Sequence, residues 1–311
     1  MSSNDVLVIG SNMVDLITYV NKMPVEGETV EAPNFEMGCG GKGANQAVAA
    51  AKLGSNVGFM TMLGNDDFGT MQMDNYKNVG IDVSMVDVGN VNSGVAPIFV
   101  DPSSDNRIII VQGANGELTP EVLDKYENKI KTAKILVLQQ EIPLETNYRA
   151  IELANKYDVP VLLNPAPAND LLNIDYVKRV TYFAPNETEL SSLTGMPVKN
   201  IDQIEAAAKK MISLGVKDMI VTLGSKGVLW VCDNQTKLIP AMRVEATDTT
   251  GAGDSFIGAF AHYIATGESP DLAIKHANEY AGITVTRKGT QKSYPTIDEL
   301  PKLKAQLYSV S

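Results

Sequence analysis

Asp248-Thr249-Thr250-Gly251-Ala252-Gly253-Asp254-Ser255-Phe256 marks the point where an irregular segment becomes a helix. From Asp254 onward, Phe256, Ile257, Phe260, Ala261 and Ile264 recur at helical spacing, and Gly267 supplies a stop. Gly251, Ala252 and Gly253 therefore fall in the first turn, where backbone N–H groups have no partner inside the helix. Such an end attracts anions, and small residues let a phosphate reach the backbone. An acid there has two readings. Asp254 either complements the helix dipole, or accepts a proton from a hydroxyl that attacks a phosphate.

The surrounding chain restricts the choice. Its 311 residues suit one large domain, 1–311, and its 44% apolar content is ample for a core. With 26 basic against 37 acidic residues, the net charge of −11 argues against a broad nucleic-acid or anionic-membrane surface. It leaves room for a small basic pocket. No apolar run approaches the ~20 residues of a membrane span. Met1-Ser2-Ser3-Asn4-Asp5 has no charged leader region, so no secretory signal is expected. Cys39 and Cys232 lack metal spacing and are expected to be reduced thiols of a cytoplasmic protein. His262 and His276 both fall in helical patterns, and histidine-based catalysis is not expected.

Short β-branched runs alternate with helical patterns. Val6–Ile9, Val57–Leu63, Ile135–Leu138, Val161–Leu163, Thr181–Phe183 and Met219–Thr222 read as buried strands. Helices are predicted near Ala44–Leu53, Phe68–Asn78, Pro120–Lys131, Leu144–Lys156 and Ile204–Leu214, with Gly54 and Gly215 as stops. The alternation predicts an α/β fold with a largely parallel sheet and helices on both faces. In such folds ligands gather at the carboxyl ends of the strands. Residues 16–37 and 93–111 break the rhythm. The second reads as a hairpin with a polar turn at Asp101–Asn106, and both are expected in a small antiparallel sheet serving as a lid or a dimer contact.

Three further clusters carry chemistry. Gly38-Cys39-Gly40-Gly41-Lys42-Gly43-Ala44-Asn45-Gln46 formally contains G-x-G-x-x-G, with Asp66 about 20 residues on. A dinucleotide site needs a buried parallel strand just before the first glycine, whereas Glu31, Pro33, Asn34 and Glu36 stand there. The alternative is a turn that brings backbone, Lys42 and Asn45 close to a small polar ligand. Asp15, after the first strand, adds an acceptor suited to a polyol. Pro185-Asn186-Glu187-Thr188-Glu189 follows a strand; it is either a plain helix start or a phosphate and metal-water site. Thr222-Leu223-Gly224-Ser225-Lys226-Gly227 is either a hairpin turn or a backbone nest beside a nucleotide.

Taken in order, these clusters resemble the ribokinase-type carbohydrate kinases of the PfkB group. The resemblance runs from about Val6 to Pro295 and rests on Gly40–Ala47, Asn164–Ala168 (N-P-A-P-A), Pro185–Glu189, Thr222–Gly227, Asp248–Phe256 and Thr286–Gln291. It implies a three-layer α/β/α sandwich, a β-sheet lid that often makes a homodimer contact, ATP with Mg²⁺, and a K⁺ activator. Position by position, it makes Asp254 the base and Gly251, Ala252 and Gly253 the anion hole. It assigns Asp15, Gly41, Lys42, Asn45 and Glu141 to the sugar. Asn186, Thr222, Gly224, Ser225, Gly227, Gly253 and Asn278 fall to the nucleotide, and Glu189 to metal-bound water. The implied K⁺ positions are Asp248, Thr250, Thr284, Arg287, Gly289 and Ser293, with Arg287 acting through its carbonyl.

One departure bears on the sugar. Similar bacterial ribokinases often read G-S-x-N-x-D after the first strand, with asparagine reaching the ribose 2-hydroxyl. Here the run is Gly10-Ser11-Asn12-Met13-Val14-Asp15, so Met13 takes that place and Asn12 faces the other way. Methionine forfeits a hydrogen bond of ~0.5–1.5 kcal/mol to that hydroxyl, a loss that a 2-deoxy sugar avoids. Deoxyribokinases are resembled through G-S-N-M-V-D-L and S-G-V-A-P-I-F-V (Ser93–Val100). The expected activity is a pentose 5-kinase, with D-ribose first and 2-deoxy-D-ribose beside it. A catalytically silent sugar-binding regulator is the rival of another class.

Overall fold

The computed structural model describes residues 3–103 and 106–308. The expected Met1–Asp5 start and Asp101–Asn106 turn each lie partly outside them. In chain order the strands are β1 (Val6–Ile9), β2 (Met13–Tyr19), β3 (Asn34–Gly40), β4 (Val57–Leu63), β5 (Asp82–Val88), β6 (Val95–Val100) and β7 (Asn106–Ile108), then β8 (Ile135–Leu138), β9 (Val161–Leu163), β10 (Tyr182–Phe183), β11 (Asp218–Thr222), β12 (Val228–Cys232) and β13 (Gln235–Ile239). The main sheet has the order β13-β12-β11-β10-β9-β8-β1-β4-β5. β12 is antiparallel to both β11 and β13, and the pairs from β11 across to β5 are parallel.

The central strands are apolar without a break because both of their faces are covered. In β1, Val6 and Val8 enter one core while Leu7 and Ile9 enter the other. The first core packs against helices Lys42–Lys52, Ala252–Ala265 and Pro270–Thr284. The second packs against Leu144–Lys156 and Ile201–Ser213. This is the three-layer α/β/α arrangement expected from the alternation.

The second sheet has the order β3-β2-β6-β7. It is not wholly antiparallel as expected. β2 pairs antiparallel with β3, and β6 with β7, but β2 and β6 are parallel. A hairpin predicts only local partners, whereas β2 and β6 come from distant segments. The sheet also begins at Met13 and ends its second strand at Gly40, wider than 16–37, and residues 20–33 form no strand. The predicted Pro120–Lys131 helix is broken into Pro120–Asp124 and Glu127–Thr132, and β5 and β13 were not foreseen. Both are outer strands of the main sheet, and apart from Met85 and Ile239 their residues are only partly buried or exposed.

Candidate active site

The Ala252–Ala265 helix is preceded by Gly251 in the left-handed conformation, φ 73°. A β-carbon at Gly251 would sit 2.4 Å from Thr290 Cγ2 and 2.7 Å from the Tyr294 hydroxyl, so this tight turn requires glycine. The Ala252 N–H donates to the Thr249 carbonyl at 3.2 Å. The expectation of three open amides is thereby corrected: Ala252 is engaged by its own turn. Among the described residues, the N–H groups of Gly251, Gly253 and Asp254 take no backbone carbonyl. They form the open end of the helix, where an anion is favoured.

Asp254 is 8% exposed and its two carboxylate oxygens have separate donors. The Asn45 side-chain amide donates to Oδ2 at 2.9 Å, and that of Gln46 to Oδ1 at 3.0 Å. Gln46 also donates to Asn164 Oδ1 at 3.2 Å and accepts from Gln139 at 2.6 Å. Gln291 donates to Asn45 Oδ1 at 2.9 Å. A carboxylate held in this way keeps a fixed direction for its lone pairs.

The glycine turn lies against the Gly10–Met13 segment. β-Carbons at Gly41 and Gly43 would each approach that backbone to 2.7 Å, and one at Gly40 would meet the Asp15 carboxylate at 2.4 Å. Glycine at each position is what allows this packing. Glu141 Oε2 accepts from the Ser11 hydroxyl at 2.6 Å and from the Lys42 N–H at 2.9 Å, tying the end of β8 to the turn. Burial, then the Glu141 and Asp254 carboxylates, push Asp15 up to about 7, with Lys42 opposing. Burial works against the Lys42 ammonium, but Asp254, Glu141, Glu189 and Asp15 together hold it above the ordinary lysine value. Lys42 is thus a cation whose charge four acids favour.

Asn12 is unavailable to a ligand. It is fully buried, donating to Thr61 Oγ1 and the Met62 carbonyl and accepting from Gln72. Met13, 2% exposed, opens β2 and pairs with Gly40, two residues before Asp15 on the same strand face. The dinucleotide reading fails here. β3, the strand before the glycines, belongs to the small sheet, and Asp66 caps the Asp67–Asn78 helix through Gly69.

Two cavities adjoin the helix end. One, of about 150 Å³, is lined by Lys42, Asn164, Asn186, Glu189, Gly253 and Asp254 among others. Asn186 and Glu189 form a reciprocal cap of the Glu187–Thr194 helix. Burial raises the Glu189 carboxyl, which the Asn186 backbone N–H and Lys42 counter. The second cavity, of about 400 Å³, is mostly apolar and includes Gly224, Ser225, Gly227, Val228, Phe256 and Asn278 in its wall. Thr222, Thr249, Ala252 and Gly253 line both. The Thr222–Gly227 turn is at once the β11–β12 hairpin and the rim of this slot.

The Asp248 carboxylate joins two loops, accepting from Thr250 N–H and Gly289 N–H at 2.9 Å each. Burial opposes its charge, and these bonds still hold its pKa below the usual aspartate value. Thr284 and Ser293 are buried nearby in sequence to Gly289, while the Arg287 guanidinium turns to Glu299 at 3.6 Å, leaving only its backbone for a cation. Among the described residues no three His, Cys, Asp or Glu side chains cluster as a metal site.

Sequence reasoning left Gln46, Gln139, Asn164, Gln291 and Tyr294 without roles. Gln46, Asn164 and Gln291 lie inside quoted motifs, and their amide side chains next to a candidate base were the available signal.

A family model described as pfkB family carbohydrate kinase matches residues 3–297. The chain is 52% identical over 296 residues to a deoxyribokinase of Salmonella typhimurium, covering 95% of this chain and 97% of that one. It is 38% identical over 307 residues to a ribokinase of Schizosaccharomyces pombe, covering 95% and 96%. Among solved structures it is similar to Arabidopsis thaliana ribokinase complexed with ribose and ATP, with TM-score 0.91, 34% identity, and coverage of 97% and 99%.

Proposed function

The chain belongs to the pfkB family of carbohydrate kinases, and on that premise we propose that it transfers the γ-phosphate of ATP to the 5-hydroxyl of a pentose. The observation that carries this reading is the junction of the two cavities at Ala252 and Gly253, with Asp254 one residue further into the polar one. ATP fills the apolar slot with its base, against Gly224, Ser225, Gly227 and Asn278. Its phosphates run toward Asn186 and the helix end. The sugar sits by Asp15, Gly41, Lys42, Asn45 and Glu141, and the small sheet acts as its lid. Asp254 takes the hydroxyl proton as the oxygen attacks, and the Gly251 and Gly253 amides with Lys42 stabilise charge on the transferring group. Catalysis is then mostly positioning and electrostatics.

Mg²⁺ fits as an ion carried mainly by the nucleotide, since Glu189 is a buried oxygen donor in the phosphate cavity and Mg²⁺ retains several waters. Bound there, it supplies charge neutralisation on the phosphates. K⁺ fits the all-oxygen set offered by Asp248, Thr250, Thr284, Arg287 (through its carbonyl), Gly289 and Ser293, a donor type suited to a hard cation. It would brace the loops that Asp248 already joins.

Two observations favour 2-deoxy-D-ribose: the 52% identity to a deoxyribokinase, and Met13 where a donor to the 2-hydroxyl is absent. D-Ribose is the second reading, supported by similarity to the ribokinase complexed with ribose and ATP. This order reverses the one drawn from sequence alone. Phe35, Met37 and Ile108–Val111 expose apolar side chains on or beside the small sheet, which supports a homodimer through the lid. Free Cys39 and Cys232 support a reducing, cytoplasmic setting. A coupled ADP-release assay over a sugar panel tests the reading. Turnover is expected with both pentoses and a higher kcat/KM for 2-deoxyribose. Turnover confined to hexoses or nucleosides would contradict it.

A further inference from the structure

We propose that Gln291 is a positioning residue for Asp254, acting through the side chain of Asn45; this rests on Asp254 being the base. Three amide contacts run in one sense. Asn75 Nδ2 donates to Gln291 Oε1 at 2.8 Å, Gln291 Nε2 to Asn45 Oδ1 at 2.9 Å, and Asn45 Nδ2 to Asp254 Oδ2 at 2.9 Å. Gln291 and Asn45 each accept with the oxygen and donate with the nitrogen, so the run ends by presenting N–H to the base. Gln291, Asn45 and Asp254 are 7%, 6% and 8% exposed, so water does not readily replace a lost partner.

The need for Gln291 follows from what enters the site. While Asn45 touches Asp254, the carboxylate alone selects the N–H face of the amide. A sugar hydroxyl arriving between them does not, because a hydroxyl bonds either face of an amide. Gln291 supplies the missing bias. Its N–H faces Asn45 Oδ1 throughout and prevents the amide from turning its oxygen toward the base.

Gln291 is itself fixed from outside the site. The Lys52 ammonium donates to the carbonyls of Gln291 and Tyr294, at 2.8 and 2.9 Å. Lys52 closes the Lys42–Lys52 helix that carries Asn45, so donor and recipient are referred to the same element. The anchor holds main-chain carbonyls, so it persists when the side chain at 291 is changed; the one-way run depends on the glutamine side chain itself.

A double-mutant cycle on the full chain tests the proposal, using Gln291→Met, Asn45→Ala, their combination and Asp254→Asn, with ADP release as readout and melting temperature as the folding check. Gln291→Met removes the donor to Asn45 and the acceptor for Asn75; through the first it is expected to lower kcat about tenfold, with the KM for ATP unchanged. In the Asn45→Ala background the same substitution is expected to add less than about a twofold further loss. Gln291→Glu keeps the shape but sets an acceptor against Asn45 Oδ1, so it is expected to lower kcat more than methionine does. It also serves if the methionine variant does not fold. Additive losses in the double variant, or Gln291→Glu as active as the unmodified protein, would overturn the proposal. Turnover retained by Asp254→Asn removes the base itself; an inactive Asp254→Asn with additive losses removes Gln291 alone.

Discussion

The Tyr294 hydroxyl donates to the Gly251 carbonyl at 2.9 Å and fixes the turn from which the site helix starts. Tyr294 is fully buried, and its hydroxyl, with the Thr290 methyl, stands where a side chain at position 251 would point. The open amides are therefore held by packing from beneath as well as by the helix. Gly251→Ala forces a left-handed alanine against Thr290 and Tyr294, at a cost on the order of 1–3 kcal/mol. A lower melting temperature and a kcat reduced by at least about tenfold are expected. Tyr294→Phe loses only the hydrogen bond, ~0.5–1.5 kcal/mol. An alanine variant with unchanged melting and turnover would refute the role given to this turn.

Asp15 makes stability depend on pH. Its pKa in the fold is raised to about 7 by burial and by Glu141 and Asp254, against about 4 in an unfolded chain. The folded protein therefore holds a proton that the unfolded chain has released. The stability tied to that proton is complete below about pH 4 and is lost as pH rises through about 7. Asp15→Asn needs no proton, so its melting temperature should fall less steeply between those limits. Parallel curves for the two proteins would show that Asp15 is not the group responsible.

Met13 is the test of sugar choice. It lies on the strand face that carries Asp15 and is 2% exposed. Met13→Asn restores a donor for a 2-hydroxyl, worth ~0.5–1.5 kcal/mol, or about two- to tenfold. The ratio of kcat/KM for ribose to that for 2-deoxyribose should rise by that factor. An unchanged ratio would remove Met13 from specificity.

Legibility followed the range of the interactions. The Val6–Ile9 strand and the Leu144–Lys156 helix were read with their observed limits, because strand burial and helical periodicity are local in sequence. The parallel pairing of β2 with β6 was not, since it joins segments with no local signal between them. The four clusters, three of them glycine-bearing, were legible as chemistry, and the fold brings them to one end of the sheet. Asn45 was legible as a sugar contact, but the amide contacts to Asp254 were not, because Gln46 and Asn45 meet it across 208 and 209 residues, and Gln291 meets Asn45 across 246. The side chains of Gln46 and Gln291 also read as ordinary polar residues. Ala252 shows the opposite failure: its amide looked open in sequence, and a carbonyl three residues back occupies it.

The most direct measurement compares Asp254→Asn with the unmodified protein, following ADP release and pentose binding in parallel. Asparagine preserves shape but cannot take a proton. Turnover is expected to fall by about 10²-fold or more, in line with general-base removal, while the pentose still binds measurably. Near-normal turnover in Asp254→Asn would contradict the assignment of the base and the mechanism built on it.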